Sequence, residues 1–204
     1  MAIECERKYL NVDFAQVRDR LKVVGAVCEG QHFESNTVWD LPDGSLRAAQ
    51  KLLRLRKQCW DDGREVYRLT LKLKLQDGQG CKVRDERELS IADGAVMASV
   101  LEGLGYGILF RYEKVREVWH WQYANEAVEI VLDTVPFAQV VEVEAPAACM
   151  EAIANALGLD AATPSTENYH ALHSRWRAER HLSPQADFVF SPEEARRLCV
   201  WPVR

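Results

Sequence analysis

Ionic side chains recur two residues apart along much of this chain. Glu4 and Glu6 lead to Lys8, and Arg54 is followed by Arg56. Thr70, Lys72 and Lys74 form the next set, then Arg84, Glu86 and Glu88, then Lys114 with Arg116, and finally Glu142 with Glu144. In an extended chain such residues share one face, because side chains alternate sides with a period of two. Leucines occupy the other side, as with Leu53 and Leu55 or Leu69, Leu71, Leu73 and Leu75. Glu129 and Asp133 repeat the phase, with Ile130 and Leu132 opposite.

Two chemistries are available to such a face. Acids packed together raise one another's pKa unless a cation intervenes, and hard oxygen donors suit Mg²⁺ or Mn²⁺. The pairs Glu4/Glu6 and Glu142/Glu144 converge only if the first and last strands lie near each other, as in a sheet that curls closed. The basic set Lys8, Arg54, Arg56, Lys72, Lys114 and Arg116 needs anions if enclosed, since a buried unpaired charge costs several kcal/mol or more. Guanidinium forks hold phosphate oxygens in bidentate fashion and lysines act as point charges, so a phosphate chain with a divalent ion satisfies both clusters. The plainer alternative is an amphipathic sheet whose charged side faces water. Composition argues against it, because solvated faces mix Ser, Thr, Asn and Gln with charges, whereas these positions are almost wholly ionic.

The elements that must position these residues are legible from pattern and punctuation. Asp13 caps a helix with Phe14, Val17, Leu21 and Val24 on one face, ended by Gly25. A second helix is predicted from about Asp93 to Gly103, and a third from Pro146 to Gly158, by the Pro-first, Gly-last asymmetry. A fourth starts near Ser165 and spaces Tyr169, Leu172 and Trp176 helically; Ser191, Pro192 and Glu194 spell a capping box for a short terminal helix. Turn signals at Asp62-Gly63, Asp77-Gly78, Asn125 and Pro136 separate alternating segments, which predicts sequential hairpins and an α+β class with an antiparallel sheet.

With 204 residues and 48% hydrophobic content, the chain suits one domain with one core, spanning residues 1–178, and an appendage at 179–204 with its own short helix. A net charge of -5 argues against nucleic acid or an anionic membrane as partner. The six cysteines lack a C-x-x-C interval and read as reduced, unpaired thiols. No apolar stretch approaches membrane-spanning length and the first turn is charged, so the expected location is cytoplasmic. Glu167, His170 and His173 lack the spacing of a zinc motif, and Trp119 and Trp121 read as sheet-face packing. The apolar tail residues Phe188, Phe190, Trp201 and Val203 predict docking on the main body or a homodimer contact.

The opening Glu4-Cys-Glu6-Arg-Lys8 resembles the E-x-E-x-K signature of the CYTH, or triphosphate tunnel metalloenzyme, superfamily. It is followed in order by Leu53-Arg54-Leu-Arg56, Leu69-Thr70-Leu-Lys72, Arg84-Asp-Glu86-Arg-Glu88, Glu113-Lys114-Val-Arg116, Leu132-Asp133 and Glu142-Val-Glu144. Asn36-Thr-Val-Trp-Asp40 and Asn168-Tyr169 are similar to family segments as well. The resemblance implies an eight-stranded, closed antiparallel β-barrel, the triphosphate tunnel, with helices packed outside. It implies that Glu4, Glu6 and Glu144, aided by Glu142 and Asp133, hold Mg²⁺ or Mn²⁺. Lys8, Arg54, Arg56, Lys72, Lys114 and Arg116 would bind the triphosphate, with Arg84 and Glu86 beside it; Glu4, Glu6, Lys8 and Glu144 would serve catalysis.

The activity so implied is metal-dependent hydrolysis of inorganic tripolyphosphate, thiamine triphosphate or a nucleoside triphosphate. Replacing water by a ribose 3′-hydroxyl would instead give the class IV adenylyl cyclase reaction, with cyclic AMP and pyrophosphate as products. A third reading is a polyphosphate- or nucleotide-binding module without catalysis. The departures from the family pattern are a missing His-Phe pair ahead of Glu4 and the lack of a lysine in the C-terminal helix; His32-Phe33 reads as packing.

Overall fold

The computed structural model describes residues 2–74 and 82–198. Its nine strands are β1 (Ala2–Leu10), β2 (Val27–Asp40), β3 (Lys51–Trp60), β4 (Glu65–Lys74), β5 (Lys82–Ile91), β6 (Gly107–Tyr123), β7 (Glu126–Val135), β8 (Ala138–Glu144) and β9 (Thr163–Ser165). The helices are α1 (Phe14–Val23), α2 (Ser45–Ala48), α3 (Gly94–Gly103), α4 (Met150–Ala156), α5 (Tyr169–Glu179) and α6 (Pro192–Arg197). The class is α+β and every strand pairing is antiparallel, as the hairpin signals predict.

Neighbours run β5-β4-β3-β2-β6-β7-β8-β1-β9, and β1 also pairs with β5. One edge of β1 meets β8, with Glu6 opposite Glu144 and Lys8 opposite Glu142. Its other edge is divided: Ala2–Glu6 meet Glu86–Lys82 of β5, and Lys8–Leu10 meet the short β9. That division corrects the expected strand count from eight to nine, since β9 pairs with Lys8–Leu10. It also explains why the helix expected from Ser165 begins only at Tyr169, where the Asn168 side chain accepts from the Ala171 N–H.

The other helix signals map closely. Asp13 caps α1, accepting from the Ala15 N–H at 2.8 Å, and Gly25 follows with φ +77°. Asp93 caps α3, and Ser191 with Glu194 completes a reciprocal capping box at α6. The third helix is shorter than predicted: Pro146 is extended, Ala147–Cys149 form a 3₁₀ turn, and α4 starts at Met150. Turns at Asp62-Gly63, Asn125 and Pro136 join β3 to β4, β6 to β7 and β7 to β8; Asp77-Gly78 lies outside the described residues.

The greasy side of the sheet supplies the core. Phe14, Val17 and Leu21 of α1 and Met150 and Ile153 of α4 pack on Tyr9, Trp119, Ile130, Leu132, Val141 and Val143. Each of these large side chains contributes about 1.5–3 kcal/mol through burial, which fixes the opposite phase of every strand toward the polar side. Leu101 and Met97 of α3 cover Leu53, Leu55 and Leu69 on the leucine face of β3 and β4. Cys28, Cys59 and Cys149 are unpaired thiols. Among the described residues no helix is long and apolar enough to cross a membrane.

Candidate functional site

The charged side of the sheet is not a solvated face. Lys8 is 3% exposed, Glu34 0%, Lys114 3%, Asp133 0% and Glu142 4%, and Arg54 and Arg116 are buried too. The face is strongly concave, because Arg116 of β6 reaches past β7 to donate to Glu142 of β8. The Tyr169 ring of α5 lies 5.2 Å from the Lys8 ammonium of β1 and 5.4 Å from that of Lys114 of β6. Cations and acids from strands far apart in the sheet order therefore meet in one volume.

Strand alternation sets each position. Lys8 lies 2.8 Å from Glu142, its partner across β1 and β8, and also contacts Glu6. Arg116 faces Asp133 across β6 and β7 and makes a fork on it, Nε to Oδ1 at 2.7 Å and Nη2 to Oδ2 at 2.6 Å. Asp133 Oδ2 also accepts from Lys114 Nζ at 2.9 Å and from the Tyr169 hydroxyl at 2.6 Å. Lys72 pairs with Glu86 across β4 and β5. Arg54 donates to the Tyr112 hydroxyl at 3.1 Å and to Thr70 at 3.3 Å, while its Nε is buried with no hydrogen-bond partner among the described residues. A buried donor left open in this way costs about 1–3 kcal/mol and is suited to an incoming anion.

Five of the six cations named from sequence, Lys8, Arg54, Arg56, Lys114 and Arg116, share this volume; Lys72 lies on the same face of β4, paired with Glu86. The acids Glu6, Glu86, Asp133 and Glu142 lie among them, and Glu144 is in register with Glu6. Glu4 and Arg84 are partners across β1 and β5.

Sequence reasoning missed Glu34. This carboxylate lies in β2 between β3 and β6, 3.2 Å from Arg56 and 3.5 Å from Lys114, and it contacts His32 at 3.1 Å and Gln58 at 3.2 Å. Asn36 accepts from Arg56 Nε at 3.2 Å. His32 packs as expected of a buried residue, but on the polar face rather than in a loop. The available signal was phase, since His32, Glu34 and Asn36 alternate with Phe33 and Ser35; the stretch escaped because it carries only one formal charge.

Protonation follows from this crowding. Burial works against ionisation of Glu34, yet Arg56 and Lys114 outweigh it and hold the carboxyl well below its ordinary range. Burial likewise opposes the charge on Glu142, but Lys8 and Arg116 keep it well below that range. Arg56 is lowered by burial and by Arg54 beside it. Tyr112 is destabilised as an anion by burial, but Arg54, Arg56 and Lys114 more than offset this and bring it below the ordinary phenol value. Burial and the Asp133 carboxylate push Tyr169 well above that value, so it acts as a neutral donor.

The sequence profile of the CYTH domain matches residues 2–157. The chain belongs to the CYTH domain family. Its fold is shared by the PH1819 protein of Pyrococcus horikoshii OT3, at TM-score 0.68 and 18% identity over 83% of this chain and 97% of the other. A candidate adenylate cyclase from Vibrio parahaemolyticus aligns at TM-score 0.67 and 19% identity, covering 84% and 98%. The HpAC1 protein of Hippeastrum, whose triphosphatase activity is dominant, aligns at TM-score 0.63 and 18% identity, covering 86% and 96%. No curated protein sequence matches the chain well enough to count as a relative. The CYTH match stops before α5, so Tyr169, His170 and the segment beyond them lie outside it.

The carboxylates of this CYTH chain have the hard-oxygen chemistry that Mg²⁺ and Mn²⁺ select. Among the described residues no three His, Cys, Asp or Glu side chains are gathered as a ready metal set. Lys8 instead partners Glu6 and Glu142, and Arg116 partners Glu142.

Proposed function

We propose that this protein is a divalent-metal-dependent triphosphatase whose eight long strands close into a tunnel that holds the phosphate chain. The closure is supported by the β1–β5 pairing, which brings the two ends of the long-strand run together. The observation that carries the reading is the convergence of the buried Lys8, Arg54, Lys114 and Arg116 with the half-buried Arg56, from β1, β3 and β6, with a donor on Arg54 that has no partner among the described residues. A row of phosphates is the ligand that supplies many closely spaced anionic oxygens to such a set. Residues 1–178 form the unit that binds it, and 179–204 are an appendage.

Arg54 and Arg56, adjacent on β3, grip one end of the chain, and Lys114 and Arg116 neutralise the charge that develops on the transferred phosphoryl group. Asp133, engaged by Arg116, Lys114 and Tyr169, orients these donors. Glu4, Glu6 and Glu144, aided by Glu142, are the carboxylates that would hold Mg²⁺ or Mn²⁺. When bound, the metal polarises phosphate oxygens and lowers the pKa of water. Entry of the phosphates would draw Lys8 from Glu6 and Glu142, which frees both acids for the metal. Enclosure by the strands excludes bulk water and strengthens each of these interactions.

The test is turnover of tripolyphosphate, thiamine triphosphate and ATP, side by side, with Mg²⁺ and then Mn²⁺. Orthophosphate release from one or more of them is expected. Cyclic AMP and pyrophosphate from ATP would replace the hydrolase by a cyclase, and binding without turnover would leave only the clamp.

A further inference from the structure

The C-terminal segment reaches the same face by a route the CYTH match does not include. Strand β7 pairs with β6 only from Val115 onward, so β7 leaves the Arg111–Glu113 edge of β6 unclaimed. The chain returning from α5 takes it. Phe188 N–H donates to Arg111 O at 3.1 Å, and Phe188 O accepts from Glu113 N–H at 3.0 Å. The Arg111 N–H donates to Asp187 Oδ1 at 2.8 Å, and the Phe190 N–H to Glu113 Oε2 at 3.0 Å.

The resulting parallel bridge sets Phe188 opposite Tyr112, so both side chains lie on the polar face. Their rings stack 5.1 Å apart, Phe137 meets Phe188 edge-on at 5.6 Å, and Phe188 is 3% exposed. Two residues later Phe190 packs on Val115 and Phe33 on the opposite side. The two phenylalanines therefore straddle β6 and lock the segment in place.

Next to the stack stands Arg54, which donates to the Tyr112 hydroxyl and keeps a buried Nε without a partner among the described residues. A free arginine samples many rotamers, and binding must restrict them unless the protein has already done so. We propose that Phe188 is a positioning residue of the phosphate site: by clamping the Tyr112 ring it fixes the hydroxyl that aims Arg54. The inference rests on the phosphate-binding reading above and deepens it by making the appendage part of the site. It assigns the effect to affinity, because Phe188 lies behind Tyr112 and does not itself contact the bound chain.

A double-mutant cycle with tripolyphosphate binding as readout, measured calorimetrically without metal, tests this. Phe188→Ala and Tyr112→Phe should each raise Kd about three- to tenfold, the range for re-immobilising one long side chain. The double variant should be no weaker than the worse single, as expected for residues acting in series. Leu101→Ala, in the α3 core on the opposite face of β3 from Arg54, serves as the control: it should lower the unfolding temperature comparably and leave Kd within about twofold. If Phe188→Ala does not fold, Phe188→Leu keeps most of the volume and loses the stack, and it carries the same arm. Additive effects in the double variant, or a Kd that moves equally in Leu101→Ala, would overturn the inference. Wild-type protein that binds no tripolyphosphate would overturn this inference, whereas the functional reading stands or falls on the turnover test above.

Discussion

Arg116 and Asp133 face each other across β6 and β7 in a two-pronged contact at 2.7 and 2.6 Å, and the same carboxylate also receives Lys114 and Tyr169. One fully buried acid thus holds two cations and the first residue of α5. Removing its charge leaves Arg116 with Glu142 alone and Lys114 with the longer contact to Glu34.

Asp133→Asn should therefore destabilise the ligand-free protein by about 3–5 kcal/mol, the usual range for breaking a buried ion pair from one side. Saturating tripolyphosphate should recover part of this loss, because phosphate oxygens can replace the missing partner and ligand binding stabilises the folded state. Thermal unfolding with and without ligand checks both halves. Equal losses in the two conditions would mean that the anion does not meet these cations.

Arg54 and Arg56 share one face of β3 and differ in what they hold: Arg54 contacts Tyr112 and Thr70, Arg56 contacts Glu34 and Asn36. A lysine at either position keeps the charge and loses the fork. Arg54→Lys and Arg56→Lys should each raise KM for the triphosphate roughly 10- to 100-fold, equivalent to about 1.5–3 kcal/mol for a charged hydrogen bond. Steady-state kinetics with the preferred substrate measures this directly. A fall in kcat with KM unchanged would shift the role of these arginines to the transition state alone.

Glu34 contributes to the acid limb of stability. Its folded pKa lies below its unfolded value because Arg56 and Lys114 overcome the cost of burial. A depressed carboxylate contributes stability that is complete above the unfolded pKa, about 4.3 for glutamate, and is lost as pH falls through the folded value. The wild-type unfolding temperature should thus fall below about pH 4, through protonation of this and similar groups. Glu34→Gln should be less stable near neutral pH and show a shallower decline below pH 4. Parallel curves for the two proteins would place the acid sensitivity elsewhere.

The fold and most of the site can be read from the sequence, because period-two alternation ties burial and charge to a single register choice. Once Leu53, Leu55 and Leu69 are assigned to the core, Arg54, Arg56 and Thr70 have only the polar face to occupy. Asp13, Asp93 and Ser191 mark helix starts because their side chains satisfy open N–H groups locally. What depends on tertiary geometry is not legible in the same way. Glu34 is a lone charge in a neutral stretch, and Tyr169 reaches Asp133 from a helix 36 positions along the chain. β9 pairs with Lys8–Leu10 across a long stretch of chain, a contact set by tertiary geometry rather than local propensity.

On the proposed reading, metal dependence would follow from the carboxylates left over once phosphates occupy the cations. In the ligand-free face Lys8 contacts both Glu6 and Glu142, so a divalent ion competes with an ammonium already in place. Metal affinity should therefore rise when triphosphate is present, as the phosphates draw Lys8 away and add oxygens of their own; by linkage the metal tightens the phosphate chain by the same factor. Chelation should abolish phosphate release, and Mg²⁺ or Mn²⁺ should restore it. Glu6→Gln removes one donor and should raise the metal concentration for half-maximal activity at least about tenfold, the scale on which metal sites respond to lost support. Glu86→Gln, whose partner is Lys72 rather than Lys8, should change that concentration far less. Equal metal requirements for these two variants would remove Glu6 from the metal site.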